Sequence, residues 1–142
     1  SSLIMSSTTI DGVHDGSGIY AYDAFISIAS STVRNTESTA IALSNSTTTI
    51  ANTLVQSGAL DDGAGGISID GGTATITDTT VSGFAERAGI SITEPTEPVA
   101  TTGGEVTGNA TGVEMYPAGA VVLIDVSVHN NGESEDDNIV VW

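Results

Sequence analysis

The chain of 142 residues has no cysteine and no lysine, and only two arginines stand against its 18 acidic side chains. Without cysteine the fold cannot rely on disulfides, and no thiolate is present to bind a metal. The formal net charge of −16 repels phosphate backbones and anionic lipids, which excludes nucleic acid as a partner. No apolar run approaches the roughly 20 residues that a membrane helix needs, so we expect no membrane insertion.

The signals of an α-helix are missing as well. The chain has very few Leu residues, and no stretch places its apolar residues at helical spacing. The apolar residues occur instead in short alternating runs rich in Ile, Val and Thr, which predict β-strands.

These short runs belong to a four-part apolar motif that recurs six times. One copy contains Ile67, Ile69, Ile76 and Val81, and its equivalents in the other copies form four columns. The equivalents of Ile67 are Ile19, Ile41, Ile90, Val113 and Ile139, and those of Ile69 are Ala21, Leu43, Ile92, Met115 and Val141. The equivalents of Ile76 are Met5, Ile28, Ile50, Thr101 and Leu123, and those of Val81 are Ile10, Val33, Val55, Val106 and Val128.

The repeat length identifies the architecture. The column of Val81 advances in steps of 23, 22, 26, 25 and 22 residues, and a period of this size indicates a solenoid. Three strands of about 4 residues plus turns use up one such coil, and each strand then pairs in parallel with its equivalent about 4.8 Å away. We therefore predict an all-β, single-domain parallel β-helix spanning residues 1–142, with about six coils of 22–26 residues.

The repeats resemble the right-handed parallel β-helix of the pectate-lyase-like superfamily, particularly its carbohydrate-binding and sugar-hydrolase repeats and those of polymorphic bacterial surface proteins. The resemblance lies in the Gly-Ile-x-Ile strand and in the bend that follows the column of Ile76. In that family the bend is a fixed two-residue corner, and the residue types here tolerate left-handed backbone. The corner positions are Ser7, Ser30, Asn52, Asp78, Gly103 and Asp125.

Strand alternation points Tyr20, Tyr22, Tyr116 and Trp142 outward on one face. In the family resembled, that face carries the polysaccharide groove, and aromatic rings suit sugar stacking or a protein interface. Asp70 and Glu114 project from the same face two coils apart, so their carboxyls are expected near 9.6 Å from one another, roughly the gap of an inverting glycosidase. They are weak catalytic candidates, because such pairs arise by chance on a face dotted with carboxylates.

Other candidate sites carry weaker signals. The acidic residues Glu133, Glu135, Asp136 and Asp137 offer oxygen ligands for calcium, although such a run is more often a solvated loop. We expect no other cofactor. The pair Asp61-Asp62 is similar to the paired aspartates of polygalacturonase-like enzymes, but the His-Gly and Arg-x-Lys partners are absent.

Two Asn-x-Thr triplets place Asn45 and Asn109 in predicted turns, where they are candidates for glycosylation. Glycosylation agrees with an extracellular or cell-surface location. The chain begins at Ser1 without a basic, hydrophobic leader, which indicates a processed mature chain or a fragment.

The pattern also predicts open ends. It begins with the strand of Met5 and Ile10 and ends with the strand of Ile139 and Val141, which amounts to a whole number of coils without a visible cap. Solenoids need polar terminal caps, because an open end presents unpaired backbone groups and apolar side chains. Either the chain belongs to a longer β-helix, or copies of it stack head to tail.

The sequence therefore favours a non-catalytic structural or adhesive protein that stacks end to end into a fibre or stalk. A carbohydrate-binding or carbohydrate-cleaving β-helix is the main alternative. A calcium-dependent surface module is a third.

Overall fold

The computed structural model describes residues 1–58, 63–116, 120–134 and 137–142, and it forms a parallel β-solenoid of about six turns. Each coil contributes three strands. The first three coils contain β1 (Ser2–Ser6), β2 (Thr9–Val13), β3 (Ile19–Tyr22), β4 (Phe25–Ala29), β5 (Thr32–Thr36), β6 (Ile41–Ser44), β7 (Thr47–Ala51), β8 (Leu54–Gln56) and β9 (Ile67–Asp70). The last three contain β10 (Thr73–Thr77), β11 (Thr80–Ser82), β12 (Ala88–Thr93), β13 (Val99–Thr102), β14 (Glu105–Thr107), β15 (Thr111–Met115), β16 (Val121–Ile124), β17 (Ser127–His129) and β18 (Ile139–Val141).

Equivalent strands of successive coils pair in parallel and build three sheets of six strands each. Sheet A has the order β1-β4-β7-β10-β13-β16, sheet B contains β2-β5-β8-β11-β14-β17, and sheet C contains β3-β6-β9-β12-β15-β18. The register confirms all four predicted columns: Ile67 pairs with Ile41 and Ile90, and Val81 pairs with Val55 and Val106. The predicted fold class is therefore correct.

The four columns line the interior and form the core of the solenoid. In the central coils the side chains of Ile50, Ile67, Ile76 and Val81 are at most 1% exposed. A fifth inward column, on sheet A, escaped the sequence analysis because it mixes polar and small residues with apolar ones. It comprises Leu3, Ile26, Thr48, Ala74, Val99 and Val121.

Phe84 also belongs to the core, and the repeat pattern did not predict it. It is fully buried and lies in the segment between β11 and β12, beyond the strand pattern that defines the columns. A repeat pattern predicts only positions that recur, and no other coil has a large aromatic side chain at this position.

The predicted corner between sheets A and B is present in every coil. Its residues all have positive φ, between 45° at Asp78 and 64° at Gly103. A residue that follows this corner closes it with its hydroxyl: Thr53 donates to the carbonyl of Ala51 at 2.9 Å, and Thr79 donates to that of Thr77 at 3.0 Å. Asn, Asp, Ser and Gly at the corner reach the left-handed region at low cost, and the hydroxyls satisfy carbonyl groups there.

A ladder of buried amides occupies the interior between sheets B and C in the last coils. The Asn109 Nδ2 group donates to Asn131 Oδ1 at 2.9 Å, and Asn131 Nδ2 donates in turn to Asn138 Oδ1 at 3.1 Å. Backbone groups complete the ladder, because the Phe84 N–H donates to Asn109 Oδ1 at 3.1 Å. A Cβ at Gly89 would lie 2.6 Å from Asn109 Nδ2, so glycine before the first-column Ile leaves room for the amide.

Thr101 is the one polar member of the four columns. It pairs in register with Ile76 and Leu123 and is 3% exposed. Within the described ranges its hydroxyl, like that of Thr48, has no hydrogen-bond partner. A buried hydroxyl without a partner loses its hydration and gains nothing in return.

Replacing Thr101 with Val should therefore raise the free energy of unfolding, by about 1 kcal/mol, because Val fills the same space without a polar atom. Chemical denaturation followed by circular dichroism measures the change. Thr102→Val is the matched control, since the neighbouring side chain points outward and should leave stability nearly unchanged. A Thr101→Val protein less stable than the wild type would show that the hydroxyl does have a partner.

Candidate functional site

The outward side of sheet C has two columns of side chains, as the alternation predicted. One column contains Tyr20, Ala42, Ser68, Ser91, Glu114 and Val140. The next contains Tyr22, Ser44, Asp70 and Thr93, and continues to Tyr116 and Trp142 just beyond the last paired residues. Small polar residues therefore fill the middle coils, and the aromatic rings lie towards the ends.

Glu114 connects the two aromatic residues of the last coils. Its Oε1 accepts a hydrogen bond from the Tyr116 hydroxyl at 2.9 Å and another from the Trp142 indole N–H at 3.0 Å. The two rings stack with centroids 6.3 Å apart and an interplanar angle of 16°. The carboxylate thereby holds both rings in one orientation.

This cluster perturbs the titration of the tyrosine. The hydrogen bond to Glu114 raises the pKa of the Tyr116 hydroxyl above its ordinary value, and the negative charge of the same carboxylate adds to the rise. Ionisation would replace an attractive O–H contact with two facing negative charges.

A groove of about 370 Å³ runs beside this cluster over the preceding coils. Its floor includes Ser68 and Ser91, and Glu114 and Tyr116 close one end. Arg87, one of only two cations in the chain, lines the groove from the segment between β11 and β12. The groove therefore presents hydroxyls, one carboxylate, one guanidinium and an aromatic wall, which suits a polar ligand with an apolar face. Arg87 belongs to no repeated position in the sequence, and only the stacking of coils places it in the same groove as Glu114.

The four predicted aromatics share one face but do not form one cluster. Tyr22 lies four coils before Tyr116 in its column, a separation of roughly 19 Å at about 4.8 Å per strand. Tyr20 and Tyr22 instead border a shallow pocket with Ser1, Ser2 and Leu3 at the other end of the solenoid. A ligand of a few sugar units would contact only one of the two groups.

Asp70 and Glu114 stay a prediction as a catalytic pair, and the strand register lengthens their expected spacing. They lie two coils apart, about 9.6 Å across the strands, and in different columns, which displaces them by about 6.6 Å along the strand direction. These two displacements are perpendicular to one another. The backbone positions are then roughly 12 Å apart. Asp70 does not line the groove, and Glu114 already accepts two hydrogen bonds.

The two glycosylation candidates differ in the folded chain. Asn45 is exposed at a corner with φ of 46°, and its glycosylation stays a prediction. Asn109 is 3% exposed, and its Nδ2 atom, which would carry a glycan, donates to Val81 and Asn131 inside the solenoid. The prediction for Asn109 is therefore wrong, because a glycosylated side chain could not occupy the amide ladder.

The acidic run has a structural use in its described part. Asp137 Oδ2 accepts hydrogen bonds from the backbone N–H groups of Glu133 and Ser134 at 3.1 and 3.0 Å. Glu135 and Asp136 lie outside the described residues, as do Asp61 and Asp62. Over residues 1–58, 63–116, 120–134 and 137–142, no group of three or more His, Asp or Glu side chains is arranged to hold a metal ion.

No family model, curated protein or solved structure matches this chain. In the described part of the chain, no helix is long and apolar enough to cross a membrane.

Replacing Glu114 with Gln should lower the pKa of Tyr116 towards its ordinary value, because the variant removes the negative charge that opposes ionisation. The near-ultraviolet absorbance of tyrosinate, followed as the pH is raised, measures the shift, and a Tyr116→Phe variant identifies which transition belongs to this residue. Glu97→Gln removes an exposed carboxylate elsewhere and should leave the Tyr116 transition in place. An unchanged Tyr116 transition in the Glu114→Gln protein would contradict the contact.

Proposed function

We propose that the chain is a non-catalytic structural or adhesive module of the extracellular space or cell surface, and that copies of it stack end to end into a fibre or stalk. The observation that supports the proposal is the exposure of core columns in the outermost described coils, which a further coil, of another copy or of a longer chain, would cover. Val113 in the fifth coil is 0% exposed, whereas its register partner Ile139 in the sixth is 48% exposed. Val141, in the neighbouring column, is 65% exposed.

The opposite end is chemically similar. Met5 and Ile10, which open their columns, are only partly buried, and Leu3 is exposed. A further coil placed on either end would bury these side chains as the central coils bury theirs. Burial of apolar surface contributes roughly 25 cal/mol per Å², so each added contact favours stacking.

The strand edges support the same contact. β1, β2 and β3 form one set of edge strands, and β16, β17 and β18 form the other. None of these strands contains Pro, and Asp11 in β2 is their only charged side chain other than a histidine. Edges that must stay unpaired usually carry such residues.

Stacking would continue all three sheets, because every strand pair in the solenoid is parallel. The edge formed by β16, β17 and β18 would pair with that of β1, β2 and β3 in the next copy. Such a contact joins two different surfaces, and a head-to-tail contact that does not close into a ring produces a filament. The repeat length and the left-handed corners support a place among the right-handed β-helices of the pectate-lyase-like superfamily.

The chemistry of the surface supports the proposed location. A net charge of −16 keeps the chain soluble, and the exposed Asn45 offers a glycosylation site. The chain also has no thiol that an oxidising environment would alter.

Replacing Val141 with Asp should abolish stacking without unfolding the chain, since this side chain is exposed in the single copy but would be buried between copies. Sedimentation and negative-stain microscopy should show filaments or higher oligomers for the wild type and short rods for the variant. Val140→Thr, at the outward-facing position beside it, is the control and should still stack. A wild-type chain that stays monomeric at high concentration would exclude self-stacking.

The groove beside Glu114 supports a second candidate function, the binding of carbohydrate. The specific observation is the Tyr116–Trp142 stack, which Glu114 holds at the end of a groove lined by hydroxyl groups. Fixed aromatic rings bury the apolar face of a sugar, and hydroxyl, carboxylate and guanidinium groups can bond its hydroxyls.

Replacing Tyr116 with Ala should abolish retention on neutral or acidic polysaccharides while the circular dichroism spectrum stays unchanged. Tyr22→Ala is a matched control, because Tyr22 lies on the same face but outside the groove. Affinity electrophoresis in gels containing each polysaccharide measures retention. Equal losses in both variants would indicate that the groove is not the binding site.

A further inference from the structure

The outward surface of sheet A differs from the rest of the molecule because it carries no charge. We call this surface the threonine face. Its three columns contain Ser2, Phe25, Thr47 and Thr73; Ile4, Ser27, Thr49, Thr75, Ala100 and Val122; and Ser6, Ala29, Ala51, Thr77, Thr102 and Ile124. Every member is a hydroxyl or apolar residue.

The absence of charge is confined to this face. The chain carries a net charge of −16, and carboxylates point outward from the other two sheets, at Asp11 and Glu105 on sheet B and at Asp70 and Glu114 on sheet C. A second copy packing on sheet B would have to bury the Asp11–Arg34 ion pair and Glu105 with its His129 contact, and one packing on sheet C would bury Asp70 and Glu114. The threonine face is the surface that another copy can approach without bringing charged side chains into contact.

Both ends of the threonine face are apolar. Ile4 is 82% exposed and Phe25 is 68% exposed at one end, and Val122 and Ile124 are 45% and 50% exposed at the other. Large apolar side chains that point outward from a sheet remain in water unless a partner covers them.

We propose that the threonine face pairs with the same face of a second copy. A two-fold axis lying between the two sheets would make this contact isologous, with Thr49 and Thr75 near its centre. Because both ends of the face are apolar, apolar residues meet apolar residues whether the two solenoids run in the same or in opposite directions. The small Ser, Thr and Ala side chains between them allow the sheets to approach to about 10 Å, the usual distance between packed sheets.

The size of the face sets the strength of the pairing. Six strands about 4.8 Å apart, with about five residues each, cover roughly 400 Å² per copy. The total of roughly 800 Å² is below the size of a standard stable interface, so one pair of copies associates weakly. Carboxylates at the corners, such as Asp23 and Asp125, flank the face, and salt should strengthen the pairing by screening their repulsion.

The test uses the Val141→Asp protein, so that end-to-end stacking, if it occurs, does not contribute. Sedimentation equilibrium at low and high NaCl should show a monomer in equilibrium with a dimer, with no larger species, and a larger dimer fraction at high salt. Adding Thr49→Glu and Thr75→Glu, on neighbouring coils, should weaken dimerisation by about tenfold or more, because like charges would face each other at the centre of the contact.

The control is the pair Gln56→Glu and Ser82→Glu, which places two carboxylates on neighbouring coils of sheet B and should leave dimerisation unchanged. A Val141→Asp protein that is monomeric at all concentrations and salt levels would overturn the proposal. Equal weakening by both double substitutions would overturn it too, because the effect would then come from net charge and not from the face. The end-stacking proposal fails separately, when the wild type and the Val141→Asp protein have the same size distribution.

Discussion

Every feature of this protein depends on the parallel, in-register pairing of each coil with the next. A strand in a coil has nothing to pair with in its own coil, so its backbone groups are satisfied only by equivalent strands above and below. The same pairing places each core side chain on its equivalent, as Ile67 lies between Ile41 and Ile90. An interior made of stacked columns requires similar shapes at each level, which is why Ile and Val recur.

The corners make this pairing possible. Sheets A and B meet at a residue with left-handed backbone in every coil, and sheets C and A meet at another in several coils, including Asp23, Asn45 and Gly71. The same residue types serve a second purpose in this chain. Asp and Asn side chains at the corners are exposed to solvent, so part of the acidic charge lies at the corners and not on the outward surface of a sheet.

The distribution of charge separates the surfaces by what they are able to contact. Sheet C combines carboxylates with Arg87 and the stacked pair Tyr116 and Trp142, which supports the proposed binding of carbohydrate. The outward surface of sheet A has no charged side chain, with hydroxyl groups in its middle coils and large apolar side chains towards its two ends, which supports the proposed pairing. The outermost described coils leave members of the core columns exposed, which supports the proposed stacking of a further coil.

The sequence by itself determined the architecture, because its signal is repeated six times and the physical requirement behind it, an apolar residue at each inward position, is local. Four of the five inward columns, their register and the left-handed corners between sheets A and B were readable from it, whereas the fifth column was hidden because it includes Thr48 and Ala74. Features confined to one or two coils had no repeat to reveal them. Phe84 and the amide ladder fall in this class, and the buried position of Asn109 overturned its assignment as a glycosylation site. Only the tertiary structure decided that Glu114 bonds both Tyr116 and Trp142, that Arg87 lies beside them, and that Tyr20 and Tyr22 form a separate group. The reason is that coil stacking brings together residues more than 20 positions apart, and the loops that vary between coils set which side chains then meet.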